Sequence, residues 1–247
     1  MAKTSETGHA KNVANFAQLV AICKSYGAIY QPSNPVIQLQ GLSGVLVQAK
    51  DCLTSINSAD AIFSNALSAR GIVFNPFRKL ITRIGSAVKS SGVSKQTKDQ
   101  VAAIIRKLQG RRATPKISEE EKQAALAAGK QIVEVSSSQM SIDSQLENFD
   151  KLIKLLASIP EYAPKESELT IAALTALYED MFAKNAAVIN AEIPLSNLRI
   201  SRNDILYKEI TGLVDVAAAA KMYIKSVFGA TSPQYKQVGP LKFTRYK

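Results

Sequence analysis

The chain has 247 residues, 46% of them hydrophobic and 21% charged, with a formal net charge of +11. That apolar share supports a packed core, and the length allows one large domain or two small ones. Two cysteines (Cys23, Cys52), one histidine (His9) and no tryptophan exclude a disulfide framework, a multi-cysteine zinc site and a histidine-based triad, and 6% aromatics is thin for a base-stacking surface.

In chain order, residues 1–12 (MAKTSETGHAKN) read as a flexible polar leader that lacks the apolar segment of a secretory signal. Phe16, Leu19, Val20 and Cys23 then recur at helical spacing, and the helix ends near Gly27. In a Pro-rich joint, Asn34 reads as an N-cap and Pro35 as a first helical residue. A long helix follows, with a stripe of Ile37, Leu42, Val45, Leu46, Ala49, Leu53, Ile56, Ala59 and Phe63, reaching about Val73. At ~1.5 Å per residue it spans about 55 Å, which predicts a kink or a rod-like, elongated body. Asn75-Pro76 breaks it before helices over 77–90 and from Lys95 to Gln109.

Residues 111–138 read as a linker in which Ser118 and Glu121 fit a capping box. Helical spacing resumes in Phe149, Leu152, Ile153 and Leu156, followed by a joint with Ser167 as a candidate N-cap. A second long helix carries Leu169, Leu174, Leu177, Met181 and Val188, runs to about Leu206, and is expected to bend at Pro194. A helix over 213–228 and an irregular tail with Pro233, Gly239 and Pro240 complete the chain. Its most apolar stretch, Leu213 to Ile224, is interrupted by Asp215 and Lys221 and is short of a membrane span, so a cytoplasmic protein with reduced cysteines is expected.

The two halves share residues in one order. Asn15-Phe16 matches Asn148-Phe149, Tyr30 matches Tyr162, Pro32 matches Pro164, Leu42 matches Leu174, and Arg70 matches Arg202. Residues 88–101 likewise align with 224–238. The reading is all-α: two tandem, pseudo-symmetric units over 13–110 and 139–247, with essentially no strand.

The stretches KLQGRRATPK (107–116), ENFDKLIKLLASIPEYAP (147–164) and SVFGATSPQYKQVGPLKFT (226–244) resemble an uncharacterised family of internally duplicated, all-helical bacterial proteins. The resemblance covers nearly the whole chain. It implies the helical two-unit fold and no activity, cofactor or catalytic residue.

Charge is the main functional signal. Residues 78–116 hold eleven basic residues and one acidic, residues 117–215 carry net −7, and residues 216–247 carry net +6. The candidate basic surface is Arg78, Lys79, Arg83, Lys89, Lys95, Lys98, Arg106, Lys107, Arg111, Arg112, Lys221, Lys225 and Lys236. The candidate acidic surface is Glu119, Glu120, Glu121, Glu166, Glu168, Glu179 and Asp180. Complementary faces on copies of one chain steer assembly, and a head-to-tail contact builds rings or filaments. Clustered Lys and Arg over 78–116 also suit nucleic-acid phosphates, although no helix-turn-helix, RRM, KH or zinc-finger pattern is present. An ordinary solvated basic surface is the plainest account. A helical pore-forming component is a minor alternative, because no apolar hairpin of membrane length is seen.

Other constellations are weaker. Ser86 and Lys89 have S-x-x-K spacing without its companion motifs. Gly41 and Gly44 suit close helix packing better than a phosphate loop. Glu119–Glu121 suits a helix first turn better than a cation site. Glu168, Glu179, Asp180 and Glu192 lack the Glu-x-x-His partners of a di-iron bundle. Cys23 and Cys52 lie on apolar stripes, and Arg70 and Arg202 suit structural salt bridges. The expectation is a non-enzymatic, self-assembling protein without cofactor.

Overall fold

A computed structural model describes residues 7–111, 119–128 and 140–245. The described residues are helical, without strand: α1 Thr7–Ser25, α2 Leu39–Phe74, α3 Phe77–Ser90, α4 Lys95–Leu108, α5 Glu119–Ala127, α6 Ile142–Ala157, α7 Ile171–Tyr207, α8 Leu213–Phe228 and α9 Pro233–Val238. Short 3-10 turns cover Gly27–Ile29, Pro35–Ile37 and Ser167–Leu169. Ser118 of the expected capping box lies outside the described residues.

The leader is shorter than expected. Residues 7–12 belong to α1, and His9 is only 3% exposed. Its Nδ1 lies 2.6 Å from the Tyr207 hydroxyl, so the buried imidazole has a polar partner. The start of the first long helix also differs. Asn34 accepts from the Val36 N–H at 3.0 Å as a cap should, but it caps only the 3-10 turn. Gln38 adopts an extended ψ of 158° before α2 begins at Leu39. Gly41 permits this tight entry: a Cβ there would fall 2.4 Å from the Pro35 carbonyl oxygen. In the second joint Ser167 opens a 3-10 turn, and Thr170 Oγ1 instead accepts the Ala173 N–H at 3.3 Å. α7 continues as helix through Pro194, which supplies no N–H for the Asn190 carbonyl. The tail expected to be irregular contains α9, because Ser232 caps it by accepting the Tyr235 N–H and Pro233 occupies its first turn.

The packing divides the chain differently from the tandem 13–110 and 139–247 scheme. One compact unit comprises residues 1–64 and 191–247, and the other residues 65–190. The stripes of α2 and α7 continue past residues 64 and 190, so each helix contributes apolar residues to both units. In the discontinuous unit, Phe16, Leu19, Val20 and Cys23 of α1 join Leu42 and Ala49 of α2, Leu206 of α7 and Val216, Ala217, Ala220 and Ile224 of α8. A second cluster there joins Cys52 and Ile56 to Leu195. In the contiguous unit, Phe77, Ile81, Ile84 and Val88 of α3 pack with Val101 and Leu108 of α4, Phe149, Leu152 and Leu156 of α6, and Leu174 and Met181 of α7. Burying such aliphatic and aromatic side chains stabilises each unit by about 1.5–3 kcal/mol apiece before entropy is charged.

Some of the positions matched between the two halves are alike in burial, while Pro32 is buried and its match Pro164 only half-buried. Phe16 and Phe149 are both buried, as are Leu42 and Leu174. The stripe Phe77, Ile81, Ile84, Val88 of α3 has its counterpart in Leu213, Ala217, Ala220, Ile224 of α8.

Candidate functional site

α3 and α4 lie within the contiguous unit and place the basic residues of its first half. The apolar face of α3 turns inward at Phe77, Ile81, Ile84 and Val88, which leaves Thr82, Ser86 and Lys89 on its flank. α4 is capped by Ser94, whose Oγ accepts the Thr97 N–H at 3.2 Å. It buries Val101 and Leu108 and carries Lys98, Ala102 and Arg106 alongside α3. The helices approach closely at Gly85, where a Cβ would lie 3.0 Å from Ile105 Cδ1. Gln109, almost fully buried, donates from Nε2 to Thr82 Oγ1 at 3.0 Å and ties the end of α4 to α3.

A Schellman turn closes α4. Gly110 has φ +65°, its N–H donates to the Lys107 carbonyl at 3.1 Å, and the Arg111 N–H reaches back to the Arg106 carbonyl at 2.9 Å. This turn brings Arg111 to the groove between α3 and α4. The groove has a volume of about 320 Å³; its charged lining is Lys89, Lys98, Arg106 and Arg111, with Thr82 and Ser86 hydroxyls and a floor of Val88, Val101, Ala102 and Ile105. No acidic side chain lines it, and none of the four cations forms an ion pair among the described residues. Four like charges around a small concavity focus a positive potential there, and the helix C-terminus partly offsets their repulsion.

The other expected basic residues do not line this groove. Arg83 is ion-paired with Glu168 and shares an apolar cleft of about 520 Å³ with Lys79, Leu80 and Leu177. Arg78, Lys95, Lys107 and Lys236 are exposed. Lys221 is half-buried, and desolvation lowers its pKa. Lys225 stands 5.8 Å from the Tyr235 ring centroid, within cation–π range. Arg112 lies outside the described residues, as do the side chains of Glu119 and Glu121.

The expected acidic residues take several settings. Glu120 and Glu179 are exposed, Asp180 lies 3.8 Å from Lys184, and Glu166 lines a shallow cleft with Ser90, Ser91 and Lys165. A tighter acidic set lies outside the expected surface. Asp143, Glu147 and Asp150, spaced i, i+4, i+7 along α6, line a groove of about 370 Å³ with Leu146, Tyr178, Phe182 and Ile189. Phe182 is 57% exposed and Ile189 47%. Glu147 and Asp150 pair with Lys151 and Lys154 at 2.5 and 2.6 Å, and the Lys151 hydrogen bond holds the Glu147 carboxyl below its ordinary pKa.

The weaker constellations resolve structurally. Ser86 Oγ donates to the Thr82 carbonyl at 3.2 Å. Cys23 and Cys52 are buried free thiols. Arg70 donates to Asn185 Oδ1 at 2.9 Å, where a carboxylate was expected, and the same amide donates to Asp143 Oδ1 at 3.1 Å. Arg202 donates to Asn203 Oδ1 at 2.9 Å. Among the described residues no cluster of three or more His, Cys, Asp or Glu is placed to hold a metal ion, and no helix is long and apolar enough to cross a membrane. No protein-family model, curated protein or solved structure matches the chain.

Proposed function

We propose that this chain is a non-enzymatic, self-associating helical protein, in which the basic α3–α4 groove of one copy receives the acidic α6–α7 groove of the next. The observation that carries this reading is the α3–α4 groove itself: four cations, no lining acid and no ion pair within the described chain. The α6–α7 groove supplies the complement, with three carboxylates above exposed Phe182 and Ile189. The ion pairs of Glu147 and Asp150 with Lys151 and Lys154 lie at the surface, where water screens them, so exchanging these lysines for another copy's cations costs little. Basic and acidic patches on different helix pairs make a heterologous contact, which closes into a ring or propagates.

Light scattering at 50 and 500 mM salt tests the proposal. Large species at low salt that dissolve at high salt are expected, since about 10 Å of screening length at 0.1 M shrinks with added salt. A monomer at both salts overturns it. The groove's cations and hydroxyls also suit phosphate, so a salt-sensitive gel shift without self-association would instead favour nucleic acid as the partner.

A further inference from the structure

α1 grips a segment of main chain. Asn12 and Asn15, one turn apart, are 2% and 8% exposed, and both face residues 242–244. Asn12 engages both backbone groups of Thr244: Oδ1 accepts its N–H at 3.0 Å and Nδ2 donates to its carbonyl at 2.7 Å. Asn15 Nδ2 donates to the Lys242 carbonyl at 2.7 Å. From α8, Lys221 donates to the Leu241 carbonyl at 3.0 Å and the Gly239 carbonyl at 3.3 Å. Carbonyls two residues apart facing one helix are the signature of extended chain. Leu241 is buried and Phe243 packs against the core beside it.

All five of these bonds end on backbone atoms, while Leu241 is buried, Phe243 is half-buried against the core, and Arg245 adds an ion pair with Asp215. This is the division of labour in peptide-binding clefts, where main-chain bonds give affinity and alternate side chains give specificity. The occupying segment joins its own α9 through Gly239-Pro240, where Pro240 has no N–H and one turn bond, Leu241 N–H to the Val238 carbonyl at 3.2 Å, spans the joint.

We infer that the α1–α8 cleft is a peptide-docking site and that its partner in trans is residues 239–245 of a second copy, exchanged for the chain's own segment. The second copy's segment has the same sequence, so every bond broken in cis is remade in trans. Local concentration then decides the balance. The inference goes beyond the charged-groove reading and uses none of its residues.

Disulfide trapping tests it on full-length chains. Asn12→Cys protein is mixed with Thr244→Cys protein, and Asn15→Cys with Lys242→Cys, under mild oxidation. A covalent heterodimer that grows with protein concentration is expected from each mixture, and excess peptide of sequence GPLKFTR, residues 239–245, should suppress it. Asn12→Cys mixed with Lys236→Cys, on the exposed face of α9, should give none. The double variants within one chain report whether each pair folds and can close in cis. Closure in cis without any heterodimer in trans overturns the inference. Trapping should persist when Lys98 and Arg106 are reversed to Glu, which separates this exchange from groove docking.

Discussion

Tyr30 and Tyr162 fasten the same turn in the two units: each donates its hydroxyl to the carbonyl seven residues on, Ile37 at 2.8 Å and Leu169 at 2.9 Å. Both acceptors belong to buried residues at the entry to a long helix. Replacing either tyrosine by Phe strands one of those carbonyls. We expect Tyr30→Phe and Tyr162→Phe each to lower stability by about 1–2 kcal/mol in urea unfolding, close to the cost of an unpaired buried acceptor. Loss below a few tenths in both would show that water replaces the bond.

Burial gives the same tyrosines a pH signature. Desolvation pushes the Tyr30 hydroxyl far above its ordinary 10.0 and raises Tyr162, while the Cys23 thiol is pushed up from 9.0 to about 11. All three bind protons more tightly folded than unfolded. Their contribution is therefore complete below about pH 9 and is lost as pH rises through the folded values. Melting temperature should fall steeply above pH 9, and less steeply in Tyr30→Phe. Cys23 should resist alkylation at pH 8 until the protein unfolds.

Gly41 and Gly44 share α2 but not a role. A Cβ on Gly41 meets the Pro35 and Val36 carbonyls, whereas one on Gly44 meets nothing within 4 Å. Gly41→Ala should destabilise by about 1–3 kcal/mol through overpacking. Gly44→Ala should stabilise by about 0.5–1 kcal/mol through helix propensity. Thermal melts of the two variants decide it.

The grooves predict a charge swap. Lys98→Glu with Arg106→Glu should weaken self-association at least tenfold without lowering the melting temperature, since both side chains lack ion pairs. Asp143→Lys with Glu147→Lys should weaken association likewise but also lower the melting temperature, because Asp143 accepts from Asn185 and Glu147 pairs with Lys151. Mixing the two reversed proteins should restore association in sedimentation, an outcome that general charge effects do not produce.

Much of this was legible in the residues. The i, i+4, i+7 stripe Phe77, Ile81, Ile84 places α3 at its observed bounds, and Asn75-Pro76 marks the break before it. Lys89, Lys98, Arg106 and Arg111 were on the candidate surface, but only the Schellman turn at Gly110 shows that they share one groove. The acidic stripe of α6 escaped because that helix was read only for its apolar face. Pro233 reads as a mark of irregular chain, although a Pro that follows a capping residue such as Ser232 also starts a helix. The division at residues 64 and 190 left no mark, since an apolar stripe carries no sign of which partner it meets.

That division predicts how the halves behave when parted. Each unit draws on residues from both sides of the 111–138 segment. A protease site inserted between Thr114 and Pro115, once cut, should yield two fragments that co-elute in native buffer and separate only in denaturant. Separation without denaturant would contradict the shared packing.

One compact body is written in a single stretch, residues 65–190, and the other in two stretches that bracket it. During synthesis the inner body is complete while α8 and α9 are still untranslated. The nascent α1, its Phe16 and Leu19 with α2 in reach but without their mates on α8, must wait for the ribosome to deliver them. Vectorial translation thus imposes an inside-first order of maturation, and the opening helix is the piece most in need of shelter on the way.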